Sequence, residues 1–246
     1  MRYFFFLLFT ILSFSQEKAL LITYEVIYNT EIPTTKDGYL YISANQNKTF
    51  YFTEKRNKND ENKEQNIDVT LKFESGKKQF NYFDYQKDTL LSRDDILKES
   101  VLIEEKIPHL DWKLFDDTIT VDNVILHKAN CNFRGRNYVA YYSTSLPIKA
   151  GPWKFQGLPG VIYTIYDETK RYNWVLKKIE TTDYNFATEI SNAETEIISI
   201  QEYAKRKFSS DESIDEKIIS RLPRGAKIVD QKTFRTGFEI KFEWEE

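Results

Sequence analysis

The chain is short of cysteine, histidine, glycine and proline, and each shortage closes off a kind of chemistry. Its 246 residues include 1 Cys, 2 His, 8 Gly and 6 Pro. A single cysteine makes no internal disulfide. With only two histidines beside it, the supply of metal ligands is thin, and no metal or other cofactor is expected. No glycine-rich turn leads from a strand pattern into a helix pattern, so a phosphate loop is missing. The Gly-x-Ser-x-Gly elbow of a serine hydrolase is missing too. With 35 Lys+Arg against 38 Asp+Glu and no basic block, nothing favours sequence-blind binding of nucleic acid. Beyond the first fifteen residues no apolar run approaches the roughly 20 that a membrane-spanning helix needs.

What is present begins with an export signal. Met1–Ser15 reads MRYFFFLLFTILSFS. Arg2 is the positive n-region, Phe4–Leu12 is an apolar stretch broken only by Thr10, and Ser13-Phe14-Ser15 is a small-x-small cleavage site. Cleavage after Ser15 leaves residues 16–246, with 34 basic and 38 acidic side chains, as one β-rich domain in the periplasm or another exported location. No cysteine follows the cut to carry a lipid, and the mature chain has no transmembrane segment. Cys131, alone where disulfides form, is expected to be a small buried hydrophobe; a reactive or intermolecularly paired thiol is the sharper alternative.

Period-two alternation dominates the mature chain. Ile22, Tyr24, Val26 and Tyr28 recur at every second position, as do Ile67, Val69, Leu71 and Phe73, and Phe238, Ile240, Phe242 and Trp244. Each pattern predicts a strand with one dry and one wet face. Further strands are predicted at Tyr39–Ser43, Thr49–Thr53, Gln79–Asp84, Val101–Lys106, Val124–Phe133, Tyr138–Thr144, Val161–Tyr166 and Tyr172–Ile179. Arg134–Asn137 and Asp167–Arg171 join consecutive members as hairpins, with Gly135 free to take positive φ. Helical spacing is confined to Ala193–Phe208 and, more weakly, Ile214–Leu222. Glu54–Asn66 holds no apolar residue and four charges of each sign, so it is a solvated loop. The fold class is mainly β: an antiparallel meander forming an open barrel or sandwich, with one or two C-terminal helices.

Catalytic sets are hard to assemble from these residues. His127 and Cys131 share a strand face, but four residues at about 3.3 Å each part their α-carbons by about 13 Å, too far for one ion or for a nucleophile and its base. His109 follows Pro108 in a loop and remains a possible partner for Cys131. The adjacent carboxylates Asp94-Asp95, Glu104-Glu105 and Asp116-Asp117 point to opposite faces of a strand, or into solvent in a turn.

The densest constellation is Gly151–Gly160, GPWKFQGLPG. Gly151, Pro152, Gly157, Leu158, Pro159 and Gly160 form its structural frame, with Pro159-Gly160 suited to the centre of a type II turn. Trp153, Lys154 and Phe155 form an aromatic–cation–aromatic triplet. As structure, the two rings plug one end of the β core. As function, the triplet is a ligand-binding platform, since apolar pockets with a few polar groups commonly sit at barrel mouths.

This segment resembles the signature of the GLPGLI family, exported proteins of Gram-negative bacteria named for a hexapeptide that stands here as Gly157-Leu158-Pro159-Gly160-Val161-Ile162. Val161 replaces leucine. The resemblance extends upstream through Leu146-Pro147-Ile148, and it includes His127–Cys131, Phe133–Arg136 and the Tyr141-Tyr142 strand, roughly residues 124–166. It implies export and a β-rich fold, and brings no catalytic residue, cofactor or substrate with it. The sequence therefore points to an exported binding or interaction protein whose partner is a small apolar or amphipathic ligand or an envelope protein. An exported hydrolase using Cys131 or a histidine is the alternative.

Overall fold

The computed structural model describes residues 18–56, 78–96, 99–184, 196–208, 235 and 237–245. The expected signal Met1–Ser15, the strand at Ile67–Phe73, the helix at Ile214–Leu222 and most of the polar run Glu54–Asn66 lie outside them. Among the described residues the strands are β1 (Ala19–Tyr28), β2 (Thr34–Ile42), β3 (Lys48–Lys55), β4 (Phe80–Asp84), β5 (Thr89–Ile96), β6 (Glu99–Lys106), β7 (Lys113–Val121), β8 (Val124–Phe133), β9 (Arg136–Ser143), β10 (Val161–Asp167), β11 (Tyr172–Thr182) and β12 (Ile197–Ser199). One helix, α1 (200–208), follows β12. None of this is a helix long and apolar enough to cross a membrane.

The strands form one sheet in the order β12-β6-β5-β4-β3-β2-β1-β11-β10-β9-β8-β7. Two antiparallel meanders, β1 to β6 and β7 to β11, are joined where β11 returns to pair with β1. Only β12, parallel to β6, breaks the antiparallel rule. The sheet stays open, with β12 and β7 as its edges.

The two faces are distinct because the side chains alternate. Ile22, Tyr24 and Val26 of β1 are fully buried on one face, with Leu40, Ala140, Ile165 and Trp174. Leu21, Tyr41, Phe50, Phe52, Phe80 and Leu102 pack on the other. Fully burying such a side chain stabilises the fold by about 1.5–3 kcal/mol, which explains why these strands keep their register. Hairpin β8–β9 turns on Arg134 and Gly135, both at positive φ (46° and 84°), the pairing that a two-residue type I′ turn requires.

Four expectations need correction. β5 and β7 went unpredicted, since neither shows apolar alternation. Among the described residues the expected helix Ala193–Phe208 is helical only from residue 200, because Ile197–Ser199 pairs with β6 instead. Residues 237–245 form bends and turns, not a strand. There the consecutive amides of Ile240 and Lys241 both donate to the Arg134 carbonyl oxygen, at 3.0 and 3.1 Å, which no strand ladder allows. Finally, Pro159-Gly160 is not a type II turn, since Gly160 does not take positive φ; Gly157 does, at 94°. Gly160 is required for space: a Cβ there would stand 2.0 Å from the Ser143 carbonyl oxygen.

Candidate functional site

The GPWKF segment folds back on itself over one face of the sheet. Ala150 and Gln156 form an isolated bridge, the Gly157 amide donates to the Lys149 carbonyl at 2.7 Å, and the Phe155 amide donates to the Pro152 carbonyl at 3.1 Å. Two side chains fasten it from below: the Trp112 indole donates to the Gln156 carbonyl and the Gln156 amide to the Pro108 carbonyl. Within this turn Trp153 holds φ at 53°, a left-handed conformation that costs a non-glycine residue about 1–2 kcal/mol. The gain is its placement among Phe133, Tyr138, Phe155, Trp174 and Phe238, whose ring centres lie 5.1–6.3 Å away.

The predicted triplet separates by role. Phe155 is fully buried and plugs the core against Tyr138 and Trp174. Trp153 and Lys154 line a cavity of about 110 Å³. Lys154 is not a solvated cation: its side chain is 4% exposed, with Nζ 2.8 Å from both Glu105 Oε1 and Glu239 Oε1. Arg134 joins the same cluster, paired with Glu105 and Glu239 and, at 3.0 Å, with the half-exposed Glu243. Burial pushes the Glu239 carboxyl up, yet Lys154 and Arg134 outweigh it and hold the group below its usual range. The cluster ties three distant parts of the chain together: β6, the β8–β9 turn with the Lys154 loop, and the C-terminal segment.

The cavity lining also carries polar residues of β3, β4 and β5. In the sheet register Tyr51 of β3 faces Asn81 of β4, Asn81 faces Ser92 of β5, and Ser92 faces Ile103 of β6. Ser92 Oγ donates to Asn81 Oδ1 at 2.9 Å. The Tyr51 hydroxyl lies over Gly38, where a Cβ would approach it to 2.6 Å. It finds no partner at hydrogen-bonding distance and angle, although the Trp174 indole lies beside it and burial pushes its pKa well above the ordinary value. Asp94, one register step further along β5, pairs with Lys207 and accepts from Tyr203, both on α1.

Sequence reasoning missed Glu105, Arg134, Glu239, Asp94 and Tyr203. A signal existed for two of them. Glu105 continues the apolar phase of Val101 and Ile103, and Asp94 continues that of Leu90 and Ser92, so a charge stands where a core residue is due. One carboxylate pair splits in burial, with Glu104 exposed and the Glu105 side chain buried, whereas Asp116 and Asp117 are both exposed.

The candidates for catalysis are elsewhere. His127 and Cys131 lie four residues apart on β8, and His109 is exposed with Nε2 3.0 Å from Asp111. None of the three lines the cavity. The buried Cys131 thiol is pushed up to about 12, first by burial and then by Asp111, the opposite of an activated nucleophile.

No family model and no curated protein sequence matches the chain. Among solved structures it is similar to PNGF-II in two crystal forms, with TM-scores of 0.54 and 0.51 and 13% identity in both. The match covers 78% of this chain but 33% and 34% of those chains, so this chain spans about a third of PNGF-II. At that identity the likeness shows the fold alone.

Proposed function

We propose that the protein is an exported, non-enzymatic binding protein of the GLPGLI type, acting in the periplasm as a single domain and holding a small ligand beside Trp153. The observation that carries this reading is the cavity, lined by the aromatic rings of Trp153, Trp174 and Phe238 together with Tyr51, Asn81, Ser92 and Arg93. Its volume of about 110 Å³ gives room for a compact ligand, since one water needs about 10–15 Å³ of such space. The buried Tyr51 hydroxyl without a partner supports an occupant that supplies one, because an unsatisfied buried hydroxyl is costly. Turnover has less support. Both carboxylates that line the cavity, Asp94 and Glu239, are held by cations. Glu239 is pulled to lower pKa, whereas a general acid needs its pKa raised towards the working pH.

Native mass spectrometry of the protein taken from the cells that make it, set against its denatured mass, tests the reading. An excess mass that vanishes on unfolding is the expected result. Equal masses would overturn the small-ligand reading and leave an envelope protein as the partner, to be sought by crosslinking in intact cells.

A further inference from the structure

We propose that β7 is a docking edge for an extended segment of a protein partner, one in which alternating apolar residues are flanked by basic ones, and that the segment joins the sheet as a further strand. The two edges of the sheet differ. β12 is three residues long and runs straight into α1, the kind of short, covered edge that resists pairing. β7 is nine residues long and has β8 as its one neighbour among the described strands. Its outer side offers a row of amides and carbonyls to another backbone.

Part of that row is guarded. Between Leu114 and Thr118 the register with β8 slips, and Phe115, Asp116 and Asp117 stand in the irregular stretch. Over 118–121 the register is unbroken. Thr118, Ile119, Thr120 and Val121 are uncharged and all β-branched, the composition that suits a strand. Ile119 and Val121 share one face and are each 42% exposed, while Ile125 stands 58% exposed on the other. With Leu114, the β7–β8 hairpin holds four of the eight exposed large apolar side chains among the described residues. Such a concentration marks an interaction surface, where scattered ones would not.

Charge selects the occupant. Asp116, Asp117 and Asp122 are exposed, and none makes an ion pair among the described residues. The cations of the hairpin, Lys113 and Lys128, stand 5.2 and 5.3 Å from the Phe115 ring centre instead. Unanswered carboxylates therefore bracket the open stretch at both ends. A second copy of this edge would bring three more to them, and like charges opposed across a strand pair are destabilising. A segment with Lys or Arg on either side of alternating apolar residues answers both features. Its apolar side chains cover Ile119 and Val121, and its cations meet Asp117 and Asp122.

The test follows the full mature protein with a labelled peptide, Lys-Lys-Val-Thr-Val-Thr-Lys-Lys, by fluorescence anisotropy and amide hydrogen exchange. Saturable binding is expected, with slowed exchange of the amides at 118–121. Binding should weaken about tenfold or more when glutamates replace the flanking lysines, and again with Ile119→Lys in the protein, an exposed position. If that variant does not fold, Val121→Lys takes its place with the same expectation. No saturable binding, or binding that survives N-methylation of every peptide amide, would overturn strand addition. Equal binding of the glutamate-flanked peptide would overturn the basic partner. Concentration-dependent dimerisation in sedimentation, with the 118–121 amides slowed in the absence of peptide, would assign the edge to a second copy and overturn the proposal.

Discussion

Replacing Lys154 with methionine isolates the buried charge cluster, because methionine keeps the unbranched length of the side chain and removes only the ammonium. In the native protein Lys154 and Arg134 face Glu105 and Glu239, two against two, with the lysine, Arg134 and Glu105 side chains all under 5% exposed. Without Lys154, Arg134 alone answers two buried carboxylates, and one negative charge is left uncompensated. Breaking a buried pair in this way costs about 3–5 kcal/mol. That is a large share of the roughly 5–15 kcal/mol by which a domain is stable. For a chain of this size it corresponds to a fall of roughly 6–20 °C in thermal midpoint.

Urea unfolding of Lys154→Met followed by circular dichroism measures the loss. The double variant Lys154→Met with Glu239→Gln provides the control, since it restores one cation against one buried carboxylate. It is expected to recover at least about 1 kcal/mol relative to simple addition of the two single effects, the coupling seen between residues in contact. A loss below about 1 kcal/mol for Lys154→Met, with additive behaviour in the double variant, would refute the reasoning. Such a result would mean that water, not Lys154, balances Glu105 and Glu239.

The same cluster sets a pH dependence. Glu239 titrates below its unfolded value near 4.3, so its contribution is fully present above that pH and is lost as pH falls through the folded value; urea midpoints measured from pH 6 downwards should fall more steeply for the native protein than for Glu239→Gln. Gly160→Ala forces a Cβ against the Ser143 carbonyl and should cost more than Gly157→Ala, where positive φ alone costs about 1 kcal/mol; the reverse order of thermal midpoints would refute the steric account of Gly160. The Cys131 thiol, pushed up to about 12, should not react with a thiol reagent at pH 8 until the protein is unfolded; stoichiometric labelling of the folded protein would show the site to be open.

The strands that could be read in the sequence share one physical property. β1 and β8 each carry an alternating apolar run that the sheet buries, Ile22, Tyr24 and Val26 on the one and Ala129, Cys131 and Phe133 on the other. β5 could not be read because its inward phase runs Leu90, Ser92, Asp94: the polar wall of the cavity erases the alternation that marks a strand. β7 could not be read for a different reason. As an edge it is exposed along almost its whole length, so no burial selects a phase. The C-terminal segment misled in the opposite direction. Its alternation of Phe238, Ile240 and Phe242 is real, but the residues that fix its path are the intervening Glu239 and Glu243, drawn towards Arg134.

The site was legible as composition and illegible as geometry. Three glycines, two prolines and an aromatic–cation–aromatic triplet announce a fixed loop, and the loop does wall the cavity with Trp153. What decides the chemistry lies far away in the chain. The partners of Lys154 are 49 residues before it and 85 after it, and polar residues of the cavity lining come from strands β3, β4 and β5, which carry no motif. In an isolated sequence a lysine between two aromatic rings looks like a cation offered to a ligand. In the fold it is neutralised by Glu105 and Glu239 before any ligand arrives, and its role passes to holding the C-terminal segment in place. Phe238 and Glu239 are part of that segment and part of the cavity wall. The charge cluster therefore completes the binding site without presenting a charge to it, and loosening the cluster should open the cavity wall before it unfolds the sheet.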